Sequence, residues 1–352
     1  MSSVAERIGA RIRERGPISF AEFMDEALYG EGGYYRRAEW PVGATGDFVT
    51  APALSPLFAA CTARLLARLG PWVGGAAELL EVGCGDGTHL GGVAERMPGA
   101  RLRGIDRNGR PAPDGVERVA DLSAIARAEV TGVVFSHELF DALAIRRVVG
   151  SPEGPRELAV TLGEDGSFAW QERALDPAVL GARLGAVARR LLPGQVADVS
   201  TEWESLYREL AQRLGSGLLV TCDYGFTGGR LYDPRIRSHG TLAAYRAHRV
   251  HRDVLNCAGT QDLTAHVDFD VLREAGEEEG LATVAVTRLA NWLVGCGLFA
   301  DLAAASPRTR AEAMALLDLE GQGVETLVLV QARGLAPSAV EVLFDAPLLA
   351  AR

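Results

Sequence analysis

The sequence predicts an α/β fold in which a mostly parallel, doubly wound sheet carries helices on its two faces. Short apolar runs alternate with helical patterns between residues 78 and 136, which is typical of β-α-β crossovers. A glycine-rich G-x-G-x-G turn directly follows the first of these runs. The 352 residues are 48% hydrophobic and 23% charged, so the chain can bury a large core as a globular protein.

Two helices are predicted at the start of the chain, over residues 3–14 and 19–28, because apolar residues recur there at helical spacing. Ser19 is a candidate N-cap of the second helix. The segment 29–56 is rich in glycine, proline and aromatic residues, and we expect a long irregular loop. These segments make residues 1–70 an N-terminal helical cap with a lid loop.

The strand patterns divide the rest of the chain. Strands are expected near residues 78–82, 101–105, 116–119, 130–136, 196–199, 217–222, 282–287 and 324–332. The predicted division is a core over 71–225 with an extra hairpin and helix at about 151–195, a polar substrate-side insertion at 226–266, the completion of the core at 267–334 and a tail at 335–352.

Charge and composition exclude several classes of protein. A net charge of −10 argues against general nucleic-acid binding. We expect a cytoplasmic protein without membrane insertion, since neither a signal peptide nor a long apolar run is visible. The sequence has no lysine, which excludes a P-loop or Schiff-base lysine. Five cysteines without a C-x-x-C pair predict no metal site. A homodimer remains open.

The stretch ELLEVGCGDGTHL contains the predicted ligand site. Gly83, Gly85 and Gly87 allow a tight turn and the close approach of a ligand to the backbone. A pyrophosphate fits poorly, because the spacing is not G-x-G-x-x-G and the negative charge of Glu81 would repel it. S-adenosylmethionine, which carries an ammonium, a sulfonium and a ribose, suits these surroundings better. A tight turn without a ligand is the alternative for the glycines alone.

Acidic residues at the next strand ends extend this hypothesis. Asp106 lies about 20 residues past the glycines, where a carboxylate can accept hydrogen bonds from a ribose diol. Asp121 is a candidate partner of the adenine amino group, with Leu122 against the ring face. A nicotinamide-dependent enzyme remains an alternative for this region.

Six stretches resemble the MidA-like methyltransferases in their residues and in their order along the chain. They are GPISFAEFMDEALYGEGGYY, GDFVTAPALSPLF, ELLEVGCGDGTHL, SHELFDALAI, DYG and GTQDLTAHVDF. The resemblance spans roughly residues 16–300 and implies a Rossmann-like class I methyltransferase fold with a seven-stranded sheet and S-adenosylmethionine as cofactor. The family includes a mitochondrial complex I assembly factor described as a protein arginine methyltransferase, which implies an arginine acceptor. His137 and Ala144 stand where the family usually has asparagine and proline.

The SHELFDALAI stretch supplies candidate catalytic groups. An arginine acceptor needs carboxylates that orient its guanidinium for in-line transfer. Glu138 and Asp141 share a face if this segment is a first helical turn. The alternative for Asp141 is a structural role, in which its negative charge caps or stabilises the N-terminus of a helix. His137 is a candidate base with a pKa near neutrality, with a structural role as the alternative.

Three further segments hold candidate site residues. Asp47 and Thr50 are expected to line the cofactor site from the lid loop, with an Asx-turn at Asp47 as the alternative. Asp223 is expected to contact the substrate. Asp262, Thr264 and His266 occupy alternate positions, so their side chains point the same way if the segment is extended. They then line an acceptor pocket or anchor a loop.

The predicted function is therefore an S-adenosylmethionine-dependent methyltransferase that acts on a protein arginine. Two alternatives remain open from the sequence. One is O- or N-methylation of a small molecule, and the other is a cofactor-binding assembly factor without turnover.

Overall fold

The computed structural model describes residues 2–43, 46–175, 177–317 and 326–351. By its internal contacts the chain divides into two compact units. The first unit comprises residues 1–48, 140–204 and 226–270, and the second comprises 49–139, 205–225 and 271–352. No helix in the described ranges is long and apolar enough to cross a bilayer.

The strands and helices are numbered in chain order. The strands are β1 (Glu78–Val82), β2 (Leu102–Ile105), β3 (Glu117–Arg118), β4 (Val130–His137), β5 (Arg146–Val149), β6 (Arg156–Leu162), β7 (Phe168–Ala174), β8 (Val196–Val199), β9 (Leu214–Phe226), β10 (Ala243–Arg246), β11 (Arg249–His251), β12 (Asp262–Thr264), β13 (Val267–Asp268), β14 (Ala282–Arg288) and β15 (Thr326–Arg333). The helices are α1 (Val4–Arg15), α2 (Phe20–Tyr29), α3 (Ala51–Leu54), α4 (Leu57–Leu69), α5 (Thr88–Arg96), α6 (Pro177–Ala188), α7 (Trp203–Arg213), α8 (Phe269–Glu278), α9 (Leu289–Gly295), α10 (Leu298–Ala304), α11 (Pro307–Ala315) and α12 (Pro337–Leu343).

The second unit is built on the predicted α/β sheet. Seven strands lie side by side in the order β14-β15-β9-β4-β1-β2-β3. The pairings from β9 to β3 are parallel, whereas β15 runs antiparallel to both β9 and β14. The prediction of a mostly parallel α/β sheet is confirmed, and the antiparallel pairings of β15 are a feature that the apolar pattern could not reveal.

One face of this sheet forms the main core. Alternate residues such as Leu79 of β1, Val133 of β4 and Val220 of β9 are fully buried in one cluster with residues of α4, α5 and α9. Phe58 and Trp292 are also fully buried there. Because burial of each large apolar side chain contributes roughly 1.5–3 kcal/mol before conformational entropy is counted, this face fixes which side chains of the central strands point inward.

The first unit contains two antiparallel sheets, in the orders β7-β6-β5-β8 and β11-β10-β12. Helix α2 packs on the larger sheet, with the Phe20 ring 5.2 Å from that of Trp170 and the Phe23 ring 5.3 Å from that of Phe168. Ser19 caps α2 by accepting the Glu22 N–H, as predicted, and a matching capping box starts α1. The strands β6 and β7 and the helix α6 lie within the segment 151–195.

Two expectations are corrected. The strand at 196–199 exists, but it belongs to the first unit, where it pairs antiparallel with β5, a strand that the sequence analysis missed. A buried four-residue strand carries no pattern that distinguishes parallel from antiparallel pairing, so only the tertiary structure decides its sheet. The segment 29–56 is not wholly irregular, since it holds a 3₁₀ turn at Tyr34–Arg36 and the helix α3. Positions 324 and 325 of the last predicted strand lie outside the described residues.

Candidate functional site

The glycine turn joins β1 to α5 through three residues with left-handed backbone. The φ angles of Gly83, Gly85 and Gly87 are 76°, 59° and 83°, a region that costs other residues roughly 1–2 kcal/mol. A Cβ on Gly83 would lie 2.9 Å from Cδ1 of Leu139, and one on Gly87 would lie 2.5 Å from Cδ of Pro113. The turn therefore requires glycine for its backbone at all three positions and for packing at two.

Parallel pairing places several predicted site residues at one edge of the sheet. Strands β2, β1, β4 and β9 are neighbours in this order, and their carboxyl ends share an edge because they are parallel. Glu81 lies opposite Phe135 of β4, and His137 at the end of β4 lies opposite Cys222 of β9. Asp106 directly follows β2.

Asp106 is bonded into the glycine turn. Its Oδ2 accepts the Gly85 N–H at 2.8 Å, and its Oδ1 accepts the Asn108 N–H at 2.8 Å. Burial raises the pKa of Asp106, and the two backbone hydrogen bonds and Arg118 oppose this rise. Nη2 of Arg118 donates to Oδ1 of Asn108 at 3.1 Å. Neither residue was predicted from the sequence, because neither belongs to a motif. The ribose contact of Asp106 stays a prediction.

Glu81 is enclosed in the second unit and is only 3% exposed. Its Oε2 lies 3.1 Å from Nδ1 of His89 in α5. The Nε2 of His89 lies in turn 2.9 Å from Oγ1 of Thr62 in α4. Neither His89 nor Thr62 was predicted from the sequence as a partner of Glu81. His89 follows the last glycine by two residues, which is a usable signal, whereas nothing in the sequence connects Thr62 to the turn.

His137 does not have the expected near-neutral pKa. Burial, assisted by the proximity of His89, lowers the pKa of His137 to about 3, so the ring is neutral at pH 7 and too weak a base to take up a proton. The ring packs edge-on against Phe58 at 5.3 Å between centroids. Its Nε2 is buried and has no hydrogen-bond partner among the residues that the structure describes. An orphaned buried nitrogen of this kind indicates that a ligand or water supplies the partner.

Glu138 lies in a strained turn instead of a helix. Its φ is 48°, which is uncommon for a residue with a side chain, and its N–H donates to the Cys222 carbonyl at 2.9 Å. Residues 138–145 contain turns and bends and no helix, because the left-handed residue cannot start one. Glu138 and Asp141 therefore do not share a helical face, and Asp141 does not cap a helix. Asp141 falls in the first unit, where its carbonyl accepts the Ala265 N–H at 3.0 Å.

Asp223 is fully buried at the end of β9 in the second unit. Its Oδ2 accepts the Leu139 N–H at 3.1 Å and its Oδ1 accepts the Tyr224 N–H at 2.8 Å. The side chain thus holds the backbone that follows Glu138. The predicted contact of Asp223 with the substrate stays a prediction.

The remaining cofactor candidates of the second unit make local contacts. Asp121 is exposed and caps the 3₁₀ turn that starts at Leu122, accepting the Ser123 N–H at 2.8 Å. Hydrogen bonds from Ser123 lower the pKa of Asp121. Leu122 is 8% exposed. Thr50 precedes α3 without a side-chain capping bond. Their contacts with the cofactor stay predictions.

Asp47 connects two loops of the first unit. Its Oδ2 accepts the Tyr34 hydroxyl at 3.0 Å and Nη2 of Arg37 at 3.2 Å. Its Oδ1 accepts the Ala247 N–H and its carbonyl accepts the His248 N–H, each at 2.8 Å. Ala247 and His248 have φ of 50° and 57°, so Asp47 stabilises a strained hairpin tip. Its predicted place in the cofactor site stays a prediction.

Asp262 is a buried carboxyl group of the first unit that accepts the Tyr35 hydroxyl at 2.8 Å. Burial raises the pKa of Asp262 to about 7, while the hydrogen bonds from Tyr35 and the Leu263 N–H oppose this rise. The Tyr35 ring stacks on Tyr29 at 5.6 Å and meets Tyr34 edge-on at 5.1 Å. We call Tyr29, Tyr34, Tyr35, Asp47 and Asp262 the tyrosine–carboxylate cluster.

His266 has different neighbours from Asp262. Its ring lies 5.4 Å from that of Phe226. Burial, then the nearby charge of Arg237, lowers the pKa of His266 to about 4. The alternation of Asp262 and His266 therefore does not bring their side chains to the same partners. Among the described residues, no group of three or more His, Cys, Asp and Glu side chains is arranged to hold a metal ion.

The residues of the second unit fit S-adenosylmethionine. Three left-handed glycines at alternate positions free the backbone of side chains there, at the carboxyl end of β1, where ligands of such sheets bind. The orphaned nitrogen of His137 and the carboxylate of Glu81 lie on adjacent strands and suit the amino-acid end of this cofactor.

Comparisons with known proteins agree with this fit. A family model described as "putative S-adenosyl-L-methionine-dependent methyltransferase" matches residues 100–287, more than half of the chain. The crystal structure of a "likely methyl transferase from Burkholderia thailandensis bound to S-adenosyl-homocysteine" has a TM-score of 0.84 and 28% identity, covering 95% of this chain and 92% of that chain.

Curated relatives are similar over much of their length. The mitochondrial protein arginine methyltransferase NDUFAF7 of Rattus norvegicus is 27% identical over 309 residues, which is 76% of this chain and 68% of the relative. The Homo sapiens protein of the same name is 26% identical over 325 residues, which is 76% of this chain and 67% of the relative. With more than half of its length matched by the family model, the chain belongs to the MidA-like family of S-adenosylmethionine-dependent methyltransferases, and S-adenosylmethionine is its cofactor.

Proposed function

We propose that this methyltransferase transfers its methyl group to a nitrogen of an arginine side chain in a protein. The observation that carries the proposal is that the tyrosine–carboxylate cluster already holds one guanidinium. Arg37 donates to Asp47 at 3.2 Å, and its Cζ lies 4.3 Å above the Tyr34 ring. Carboxylates and aromatic ring faces are the groups that recognise a guanidinium, so the cluster has the chemistry to bind an acceptor arginine.

The ionisation state of Asp262 in this cluster should change when an acceptor arginine binds. With a pKa of about 7, the carboxyl group is partly ionised at neutral pH. An approaching guanidinium favours the ionised form, so binding of arginine releases a proton from Asp262. The Tyr35 hydroxyl fixes the orientation of the carboxyl group through its hydrogen bond.

The second unit supplies the cofactor-binding and catalytic groups. We assign cofactor binding to the glycine turn, Glu81 and Asp106. When bound, the cofactor supplies an electrophilic methyl group on its sulfonium. The Glu138 carboxylate, at the end of β4, is the catalytic candidate of this unit, since a carboxylate can orient a nitrogen acceptor and attract its positive charge. The neutral ring of His137 offers its unpartnered Nε2 to the cofactor without adding charge.

The names of the relatives support the acceptor class. Two of them, at 27% and 26% identity, are described as protein arginine methyltransferases. The low identity supports this class only as a proposal, because acceptor choice depends on a few side chains.

The test uses isotope-labelled cofactor with paired peptides that differ only by arginine or lysine at the acceptor position. We expect label on the arginine peptide alone, and methylated arginine after acid hydrolysis and mass analysis. The Glu138→Gln variant should lose turnover, whereas Glu164→Gln, a change at an exposed carboxylate of the β6–β7 hairpin, should not. Label that enters only small molecules of a protein-free extract would support the small-molecule alternative and overturn the proposal.

A further inference from the structure

We propose that His89, supported by Thr62, positions the Glu81 carboxylate to receive the ammonium group of the cofactor. The inference concerns a positioning residue and rests on the proposed cofactor-binding role of Glu81. It does not depend on which acceptor is methylated.

The three side chains form a chain of hydrogen bonds across three elements of the second unit. A carboxylate only accepts hydrogen bonds, so the Nδ1 of His89, 3.1 Å from Oε2 of Glu81, carries the hydrogen. The Nε2 of His89 lies 2.9 Å from Oγ1 of Thr62, and the Thr62 hydroxyl lies 3.4 Å from the Phe58 carbonyl of the preceding turn. Thr62 thereby holds the second ring nitrogen of His89 and fixes the ring plane in which Nδ1 faces Glu81.

The surroundings hold the imidazole in this orientation. His89 is 4% exposed and Thr62 is 1% exposed, so water does not compete for their hydrogen bonds. The His89 ring meets Phe58 edge-on at 5.1 Å and lies 5.0 Å from Phe135. Rotation of the ring would break both hydrogen bonds inside a packed core, which is costly.

Fixing one carboxylate oxygen determines where the other one points. Oε2 of Glu81 is engaged by His89, which leaves Oε1 for a second donor. A glutamate without such a partner has three rotatable bonds and would lose side-chain entropy on binding a ligand. The hydrogen bond from His89 orders the Glu81 side chain before the ligand binds. The loss of side-chain entropy on binding is then smaller, and a ligand binds more tightly to a site that is already ordered.

The experiment compares two ligands by calorimetry. S-adenosylhomocysteine carries the ammonium group, whereas 5′-methylthioadenosine has the same nucleoside and no amino-acid part. We expect His89→Leu to weaken S-adenosylhomocysteine about tenfold, equal to about 1.4 kcal/mol, with less than twofold change for methylthioadenosine. His89→Asn, which keeps a donor near the Nδ1 position, should recover most of the affinity. Thr62→Val should have a smaller effect in the same direction.

A matched control separates positioning from general damage to the core. Leu66→Ala removes a buried side chain one turn further along α4, at 1% exposure. We expect it to lower the free energy of unfolding and to leave the ratio of the two affinities unchanged. Equal weakening of both ligands in His89→Leu, or the same affinity ratio in His89→Leu and Leu66→Ala, would overturn the proposal. Glu81→Gln must itself change the ratio, since an unchanged ratio there removes the basis of the inference. These outcomes are independent of the arginine test, which measures the acceptor.

Discussion

The Asp223 carboxylate accepts a hydrogen bond from the Leu139 backbone N–H, 3.1 Å away, directly after the strained residue Glu138. The other oxygen of the same fully buried carboxylate accepts the Tyr224 N–H. One side chain thus supports the backbone just after β4 and near the carboxyl end of β9. Asp223 therefore fixes the direction of the backbone where the chain leaves the sheet at Glu138.

Replacing this carboxylate by an amide should destabilise the turn. In Asp223→Asn, one of the two backbone donors faces an amide NH₂ and loses its acceptor. We expect the free energy of unfolding to fall by about 1–3 kcal/mol, measured by urea denaturation, with a lower kcat because Glu138 is less well placed. Asp114→Asn, at an exposed position, is the control. Equal stability of the two variants would show that the buried hydrogen bonds are not needed.

Substitutions at Glu138 should change stability and activity in different ways. Its φ of 48° suits glycine better than any residue with a Cβ. We therefore expect Glu138→Gly to be more stable than Glu138→Ala by about 1 kcal/mol, although both lack the carboxylate and should lose turnover. Thermal unfolding and single-turnover assays measure the two effects. Full activity in either variant would remove Glu138 from catalysis.

The glycine turn allows strain and steric overlap to be measured separately. Gly87 and Gly99 have the same φ of 83°. A Cβ on Gly87 would meet Pro113 at 2.5 Å, whereas one on Gly99 would meet no atom within 4 Å. Gly99→Ala should therefore report strain alone, roughly 1–2 kcal/mol. Gly87→Ala should cost more and should also weaken cofactor binding. Equal losses of stability in urea would contradict the steric role of Pro113.

Asp262 should give the protein a distinctive dependence of stability on pH. The pKa of this acid is raised from 3.8 to about 7 by folding. Between these values the folded chain binds more protons than the unfolded chain, so the free energy of unfolding falls as pH rises, by at most about 1.4 kcal/mol per pH unit. The contribution is complete below about pH 4 and lost above about pH 7.

The Asp262→Asn variant isolates this contribution, because the other titrating groups are common to both proteins. We expect the stability difference between the wild-type chain and the variant to decrease from pH 4.5 to pH 7.5, measured by urea denaturation at each pH. Parallel curves across this range would show that Asp262 keeps an ordinary pKa in the folded protein.

Several parts of the fold could be predicted because they depend on local pattern. The Ser19 cap, the glycine turn and the parallel strands around it follow from residue type and spacing. The helical turn considered at Glu138 does not form, because three-residue spacing of acids is also compatible with a strained turn, and only the contacts with β9 select that turn. The missed strand β5 is too short to show a period.

The sequence by itself determined the cofactor class and the α/β core, since both depend on glycines and apolar runs close together in the chain. The tertiary structure alone decided which polar side chains meet. Thr62, Glu81 and His89 come from three elements, and Tyr35 and Asp262 are 227 residues apart. The burial of His137 and Asp262 likewise depends on packing by distant elements, and burial moves the pKa values of these two groups in opposite directions because it disfavours whichever form is charged.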